Sequence, residues 1–165
     1  MQAGRSLPGF PPYAPSNNNP KFHGTVPLKV AMGNSFTSPA LKTGLRTGIP
    51  AVVDMAHRMG ITCLGLPCDP NRDASFYGPS LTLGGYEVRV ADMATAVSTL
   101  ATMGVRHREA PILNIKDGLG KDVFTYDAKK AEFRAIDPNV AFIIASIMSD
   151  DRNRCLEFGC GGDLT

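Results

Sequence analysis

Glycine and proline divide this sequence into short segments, and that division limits the secondary structure it can form. The 165 residues include 17 glycines and 13 prolines, which favour turns and helix ends over helix interiors. Between them, several segments have the apolar spacing of a helix. Residues 50–59 begin with a proline suited to a first helical turn and precede Gly60, a typical helix stop. The pattern therefore predicts several short helices instead of a few long ones.

Four further segments have helical patterns. Short helices are predicted at 27–32 and 40–46, and an apolar helix at 140–149 follows the favourable cap Asp137-Pro138. Residues 90–103 give the clearest amphipathic pattern, and Gly104 ends it. Its apolar face, which we expect to be buried in the core, with a partner-binding surface as the alternative, consists of Met93, Ala96, Val97, Leu100 and Met103.

One β-hairpin is predicted after these helices. Residues 112–115 and 123–126 are strand-like and flank the turn sequence Asp-Gly-Leu-Gly at 117–120. Residues 1–25 are rich in proline and asparagine and predict an extended segment that leads into a domain at 26–165. Residues 65–79 are predicted to be loop, and residues 155–165 have no periodicity. The fold class is α+β, helix-rich with one hairpin.

Composition excludes several classes of function. Hydrophobic residues make up 43% and charged residues 19% of the chain, as in globular proteins. The net charge of +2 is small and scattered, which does not favour nucleic-acid binding. No apolar run approaches the roughly 18 residues that a membrane span requires. The chain also has no signal-peptide pattern at its start.

The four cysteines form two Cys-x4-Cys pairs, at 63 and 68 and at 155 and 160. Four thiolates can bind zinc, but this spacing is loose and the pairs lie far apart in the sequence. We therefore expect free thiols or one incidental disulfide, and we predict no metal site and no cofactor. A small zinc protein is kept as an alternative.

Six strings follow one another in a fixed order: Tyr-x-Pro-x-Asn at 13–17, Lys-Phe-His-Gly-Thr-Val-Pro-Leu-Lys at 21–29, Asn-Ser-Phe-Thr-Ser-Pro-Ala at 34–40, Ala-His-Arg-Met-Gly-Ile-Thr at 56–62, Tyr-Gly-Pro-Ser-Leu-Thr-Leu-Gly-Gly-Tyr-Glu-Val at 77–88, and the helical segment 92–104. With the hairpin and the helix after Asp137, this order resembles the middle of the transpeptidase domain of class A penicillin-binding proteins. The resemblance runs from about residue 13 to residue 158. It implies an incomplete β-lactamase/transpeptidase-like domain.

The resemblance also implies a chemistry. The family cross-links peptidoglycan at D-Ala-D-Ala stem peptides, is acylated by β-lactams, and is membrane-anchored and extracytoplasmic. Its three motifs are a Ser-x-x-Lys that carries the nucleophile, a Ser-x-Asn that relays a proton, and a Lys-Thr-Gly that binds the substrate carboxylate. The stem peptide and β-lactams are therefore the implied partners.

The motifs are only partly present. None of the nine serines has a lysine three residues later; the family's nucleophile motif would lie before Met1 and its Lys-Thr-Gly beyond Thr165. Ser35-Phe36-Thr37 stands where the family has Ser-x-Asn, with a hydroxyl in place of the amide that both donates and accepts. Ser35 and Thr37 are thus the candidate site residues, and the alternative is a helix-capping loop.

Two other sequence features are weaker candidates for functional sites. Lys42-Thr43-Gly44 spells the third motif, but it falls seven residues after Ser35, in a predicted helix instead of a strand. His23 is expected to be a structural loop histidine instead of a catalytic base. The first hypothesis is therefore a transpeptidase fragment that is inactive alone. The alternative is a non-catalytic module of the same fold that binds cell-wall peptide or a partner protein.

Overall fold

The computed structural model describes Tyr13, Pro15, Ser16 and residues 21–162. Most of the extended segment predicted at 1–25 lies outside the described residues, and the domain boundary at residue 26 stays a prediction. The helices are α1 (Leu28–Gly33), α2 (Thr37–Thr47), α3 (Ile49–Met59), α4 (Val90–Ala101), α5 (Pro138–Ser149) and α6 (Cys155–Phe158). The strands are β1 (Val105–His107), β2 (Asn114–Lys116), β3 (Asp122–Thr125) and β4 (Glu132–Arg134).

The four strands form two separate antiparallel pairs. β2 and β3 make the predicted hairpin, with Asn114 opposite Thr125 and an irregularity after Ile115. β1 pairs with β4, with Val105 opposite Arg134. This second pair was not predicted, because it consists of three-residue strands that are distant in the sequence. The helix-rich α+β class is confirmed.

Sequence signals account for several helix boundaries. Gly60, with φ of 112°, adopts the left-handed conformation that ends α3. The Asp137 carboxylate accepts a hydrogen bond from the backbone N–H of Asn139 at 2.8 Å and caps α5. Two predictions need correction. The loop predicted at 65–79 contains a 3-10 turn at Ala74–Phe76, and a second 3-10 turn, Pro79–Leu83, begins at its last residue. The segment 155–165, which has no periodicity, contains the short helix α6.

A hydrophobic cluster joins α3 to the loop before α4. It is formed by Ile49, Val53, Leu64 and Tyr77, and each side chain is at most 6% exposed. The Tyr77 hydroxyl donates to the carbonyl of Leu64 at 2.8 Å, which satisfies the one polar group that the ring buries. This cluster fixes the loop 61–88 against α3.

The predicted buried face of α4 is correct for Ala96 and wrong for Met93, Val97 and Met103. Met93, Val97 and Met103 are 43–50% exposed, whereas Asp92 and Thr99 are fully buried, together with Ala96. The reason is that polar contacts hold α4 to the end of α3 and the residues after it. These contacts outweigh the apolar stripe in orienting the helix.

Within the part of the chain that the structure describes, every helix falls short of the length and apolar character needed to cross a membrane.

Candidate functional site

The candidate motif occupies the tight junction between α1 and α2. The N–H of Ser35 donates to the carbonyl of Met32, and that of Phe36 to the carbonyl of Ala31, both at 3.0 Å. Ser35 has φ of 53°, in the left-handed region that non-glycine residues rarely adopt. This conformation ends α1 and reverses the chain, so that α2 begins two residues later, at Thr37.

The two candidate hydroxyls are available to a ligand. Ser35 is exposed and Thr37 is partly exposed. Neither hydroxyl has a hydrogen-bond partner among residues 21–162, although the Ser35 backbone N–H donates to the Met32 carbonyl. The structure thus brings the two hydroxyl-bearing residues of the motif to one accessible turn. It does not test their proposed roles.

Phe36, between the two hydroxyl residues, anchors the turn. Its side chain is 5% exposed, and the His23 ring stacks on it with a centroid distance of 4.9 Å and an interplanar angle of 11°. This packing gives His23 a structural contact at the site. Its ring is exposed, and a catalytic role for it stays untested.

The position of α2 is set by a close helix contact. A Cβ built on Gly44 would lie 2.0 Å from Cγ2 of Thr82, in the 3-10 turn that packs on the helix. Lys42-Thr43-Gly44 is therefore helical, as the sequence predicts, with Lys42 exposed and Gly44 buried. The glycine of this triplet has a packing role.

Asn34, directly before the motif, is a residue that the sequence did not single out. It is 1% exposed, and its Nδ2 donates to the carbonyl of Val30 at 2.8 Å and to that of Asn153 at 2.6 Å. Its Oδ1 accepts a hydrogen bond from the N–H of Glu157 at 2.8 Å. Two of these partners lie more than 100 residues away, and no local pattern reveals them.

The four cysteines form two disulfides, Cys63–Cys68 and Cys155–Cys160, with Cα–Cα distances of 4.9 and 4.7 Å. The expectation of free thiols or a single disulfide is wrong, and a four-thiolate zinc site is incompatible with this pairing. Each bridge joins the two cysteines of one Cys-x4-Cys pair. The Cys-x4-Cys spacing in the sequence is compatible with disulfides and with free thiols, so it could not predict the pairing.

A second buried polar centre lies beside the first disulfide. The Asp92 carboxylate is 0% exposed and accepts hydrogen bonds from the N–H groups of Thr62 at 2.6 Å and Cys63 at 2.8 Å. Arg89 Nη2 lies 2.6 Å from the other carboxylate oxygen. Burial, the largest influence, opposes ionisation. The bonds from Arg89, Cys63 and Thr62 together outweigh it and lower the pKa of Asp92 below 3.8.

One concavity of about 350 Å³ lies at the β1–β4 strand pair and does not include the motif. Its lining consists of Arg106, Arg108, Lys130, Ala131, Glu132 and Phe133. Neither Ser35 nor Thr37 contributes to it. The candidate motif therefore lies on the surface outside this concavity, with Ser35 exposed and Thr37 partly exposed.

Comparison with known proteins defines the class. The curated relatives are penicillin-binding proteins 1A and 1B, and the solved structures with a similar fold are penicillin-binding proteins. The chain is thus similar to class A penicillin-binding proteins in the curated comparison and to transpeptidase domains of penicillin-binding proteins in the structural comparison, over part of its length. This confirms the resemblance. No protein-family model matches the chain.

The individual relatives show how much is shared. Penicillin-binding protein 1B of Haemophilus influenzae is 27% identical over 122 residues, or 74% of this chain and 14% of that protein. Penicillin-binding protein 1A of Mycobacterium tuberculosis is 33% identical over 109 residues, or 64% of this chain and 13% of that protein. The chain thus spans about one seventh of the length of these relatives.

A solved structure gives the same result. The penicillin-binding protein PonA1 from Mycobacterium tuberculosis superimposes with a TM-score of 0.68 at 27% identity, covering 81% of this chain and 36% of that chain. Its structure in complex with penicillin V gives a TM-score of 0.69 at 26% identity, with the same coverage. The match includes about a third of the solved chain.

Proposed function

We propose that this chain supplies one wall of the peptide groove of a D-Ala-D-Ala transpeptidase domain, with Ser35 and Thr37 in the place of the family's Ser-x-Asn. The observation that carries the proposal is the α1–α2 junction, which presents these two hydroxyls without intramolecular partners within residues 21–162. Partnerless, accessible hydroxyls can donate to and accept from a peptide amide or carbonyl. The similarity to penicillin-binding proteins supports the choice of ligand.

We further propose that the chain does not catalyse acyl transfer by itself. A serine hydroxyl becomes nucleophilic at neutral pH only beside a base, and none of the nine serines has a lysine one helical turn later. The exposed Ser35 hydroxyl has no hydrogen bond to such a base within the described chain. In a complete domain Ser35 would assist the proton transfers of an acyl-transfer reaction whose nucleophile another segment supplies.

The experiment is a labelling assay with fluorescent penicillin, read by intact-protein mass spectrometry. We expect no covalent adduct after overnight incubation and no hydrolysis of a D-Ala-D-Ala mimic. A penicillin-binding protein with all three motifs serves as the positive control, and a Ser35→Ala variant of this chain as the matched negative control. A stoichiometric adduct that is lost in Ser35→Ala would overturn the proposal of an inactive chain.

A non-catalytic module that binds cell-wall peptide is the second candidate. The accessible hydroxyl pair favours it, because noncovalent recognition needs these groups but no nucleophile. Titration with a D-Ala-D-Ala stem peptide, followed by amide chemical shifts, tests both candidates for binding. Shift changes at Ser35 and Thr37 support a peptide site. Their absence up to millimolar peptide would argue against any peptide recognition by this chain.

The two disulfides support an extracytoplasmic location. Disulfides persist in oxidising compartments and are rare in the cytosol, and both Cys-x4-Cys pairs are closed here. We therefore propose that the chain acts in the cell-wall compartment, where penicillin-binding proteins of this class work. Alkylation of the intact cell with a thiol reagent, followed by mass spectrometry, tests this: we expect all four cysteines to be unmodified.

A further inference from the structure

Asn34 connects the candidate motif to a distant part of the chain. Its buried side chain donates to the carbonyl of Asn153 at 2.6 Å and accepts from the N–H of Glu157 at 2.8 Å. These contacts span 119 and 123 sequence positions. Since Asn34 precedes Ser35 directly, these contacts connect the segment 153–157 to the residue that adopts the left-handed turn.

The packing around this connection is close. A Cβ built on Gly33 would lie 2.6 Å from the carbonyl oxygen of Asn153, so the end of α1 touches the backbone of that segment. The side chain of Asn153 is 5% exposed and donates to the carbonyl of Ile147 at 3.0 Å. The receiving segment is therefore itself fixed to α5.

The receiving segment is closed by a disulfide. The bridge between Cys155 and Cys160 forms a six-residue ring that contains Glu157, the residue whose N–H binds Asn34. Next to the ring, the N–H of Gly161 donates to the Asp151 carboxylate at 2.9 Å. The covalent ring thus limits the positions available to one of the two distant partners of Asn34.

We propose that Asn34 is a positioning residue for Ser35 and Thr37, and that the Cys155–Cys160 disulfide holds the partner that Asn34 needs. The functional meaning of this coupling rests on the peptide site proposed above. Loss of the bridge lets Glu157 move away from Asn34, weakens the Asn34 contacts and lets the Ser35 turn leave its left-handed conformation. The geometry of the motif then depends on a disulfide that is distant from it in the sequence.

The first test measures amide hydrogen exchange in the whole chain with both cysteines of one pair changed to serine. In the Cys155→Ser/Cys160→Ser variant we expect the Ser35 and Phe36 N–H groups to exchange about tenfold faster, through local opening. The matched Cys63→Ser/Cys68→Ser variant should leave these two amides unchanged. Unchanged exchange in the first variant overturns the proposal, and so does equal acceleration in both variants.

The second test leaves both disulfides intact, so it tests the role of Asn34 even if a cysteine variant fails to fold. Asn34→Ala should accelerate exchange at Phe36 and shift the amide–Hα coupling of Ser35 away from the value for positive φ. Asn34→Asp, which keeps an acceptor for Glu157, should restore part of both signals. A normal Ser35 coupling in Asn34→Ala overturns the proposal.

A ligand measurement then separates the two proposals. If the D-Ala-D-Ala stem peptide binds, Asn34→Ala should weaken its affinity about tenfold, the effect expected when a preorganised turn becomes mobile. If the wild-type chain binds no peptide, the proposed peptide site is wrong, while the exchange and coupling measurements still test the link between Asn34 and the disulfide.

Discussion

Ser35 adopts a conformation that costs a residue with a Cβ roughly 1–2 kcal/mol. The two residues beside it compensate for that cost. Asn34 is buried with three hydrogen bonds, and Phe36 is buried under the His23 ring. A strained residue held between two buried neighbours presents its side chain in one direction, which suits a recognition residue.

Thr37→Asn tests whether the altered motif limits ligand binding. An asparagine there recreates the family's Ser-x-Asn and adds a group that donates and accepts together. One added neutral hydrogen bond contributes about 0.5–1.5 kcal/mol, so affinity for a D-Ala-D-Ala stem peptide should rise roughly three- to tenfold. Isothermal titration calorimetry gives the measurement.

The matched control for this variant is Thr47→Asn, an exposed threonine at the other end of α2. It should leave the affinity unchanged. Equal affinities for Thr37→Asn and the wild-type chain would show that residue 37 does not contact the peptide.

Asp92→Asn should destabilise the chain by about 2–3 kcal/mol, because the buried carboxylate accepts two backbone N–H groups and pairs with a half-exposed Arg89. Its pKa is lower in the folded chain than the ordinary 3.8. The stabilisation from ionised Asp92 is therefore complete above that ordinary value and is lost as pH falls through the lower folded pKa.

Urea unfolding of the wild-type chain and Asp92→Asn, repeated across the acid range, provides the measurement. The stability difference between the two should shrink as the pH falls below 4. Asp54→Asn, an exposed change on α3, is the control and should behave like the wild type. A difference that is constant down to the lowest accessible pH would contradict the assigned role of the charge.

The candidate residues could be predicted only where their signal is local. Ser35 and Thr37 lie in a recognisable string, and the structure places both at one accessible turn. Asn34 and Asp92 organise the two buried polar centres and were missed, because their partners lie from about 30 to more than 100 residues away. A buried polar side chain that is hydrogen-bonded to a backbone group far away in the sequence produces no periodic sequence pattern from which the bond could be predicted.

At the scale of secondary-structure elements, we expect Gly44→Ala to destabilise the chain, although a change from glycine to alanine in a helix usually stabilises it. In an open helix, alanine in place of glycine stabilises by up to about 1 kcal/mol. Here the added Cβ meets Thr82 at 2.0 Å, and overpacking costs roughly 1–3 kcal/mol. Thermal unfolding should therefore show a lower midpoint than that of the wild-type chain.

Two further variants isolate the cause. Thr82→Gly combined with Gly44→Ala removes the clashing group and should recover most of the loss. Gly118→Ala adds a methyl group where no atom lies within 4 Å and should change the midpoint little. If the double variant is no more stable than Gly44→Ala alone, the contact between α2 and Thr82 is not the cause.

Helix positions were predictable from their start and stop residues, and the orientation of one helix was not. Gly60 and Asp137 mark the boundaries of α3 and α5 where expected. On α4 the apolar stripe predicted the wrong orientation, because Thr99 binds the last residue of α3 and Asp92 binds residues just after it, and Val97 is turned outward. The β1–β4 pair was missed because three-residue strands carry too few residues for an alternating pattern.

At the scale of the whole molecule, α5 leaves much apolar surface in contact with solvent. Four of its side chains are 50–59% exposed: Val140, Phe142, Ile143 and Met148. A helix that is apolar on nearly all sides normally lies in a covered core. Exposed apolar surface of this extent favours association between copies of the chain.

Sedimentation velocity should therefore show a weight-average mass that increases with protein concentration. Phe142→Ser should reduce this association with little loss of stability, because the side chain is already exposed. Val90→Ser, at the first residue of α4 and 87% exposed, is the control on another helix and should leave the association unchanged. A strictly monomeric wild-type chain at all concentrations would contradict the expectation.

The contacts of Asn34 have a topological consequence. They bring residue 34 against residues 153 and 157, so the early and late parts of the described chain are neighbours in space. The hairpin turn at 117–120 lies elsewhere on the surface, with Leu119 95% exposed. A circular permutant, with residues 162 and 21 joined by a flexible linker and new termini in that turn, should therefore retain the native arrangement of helices.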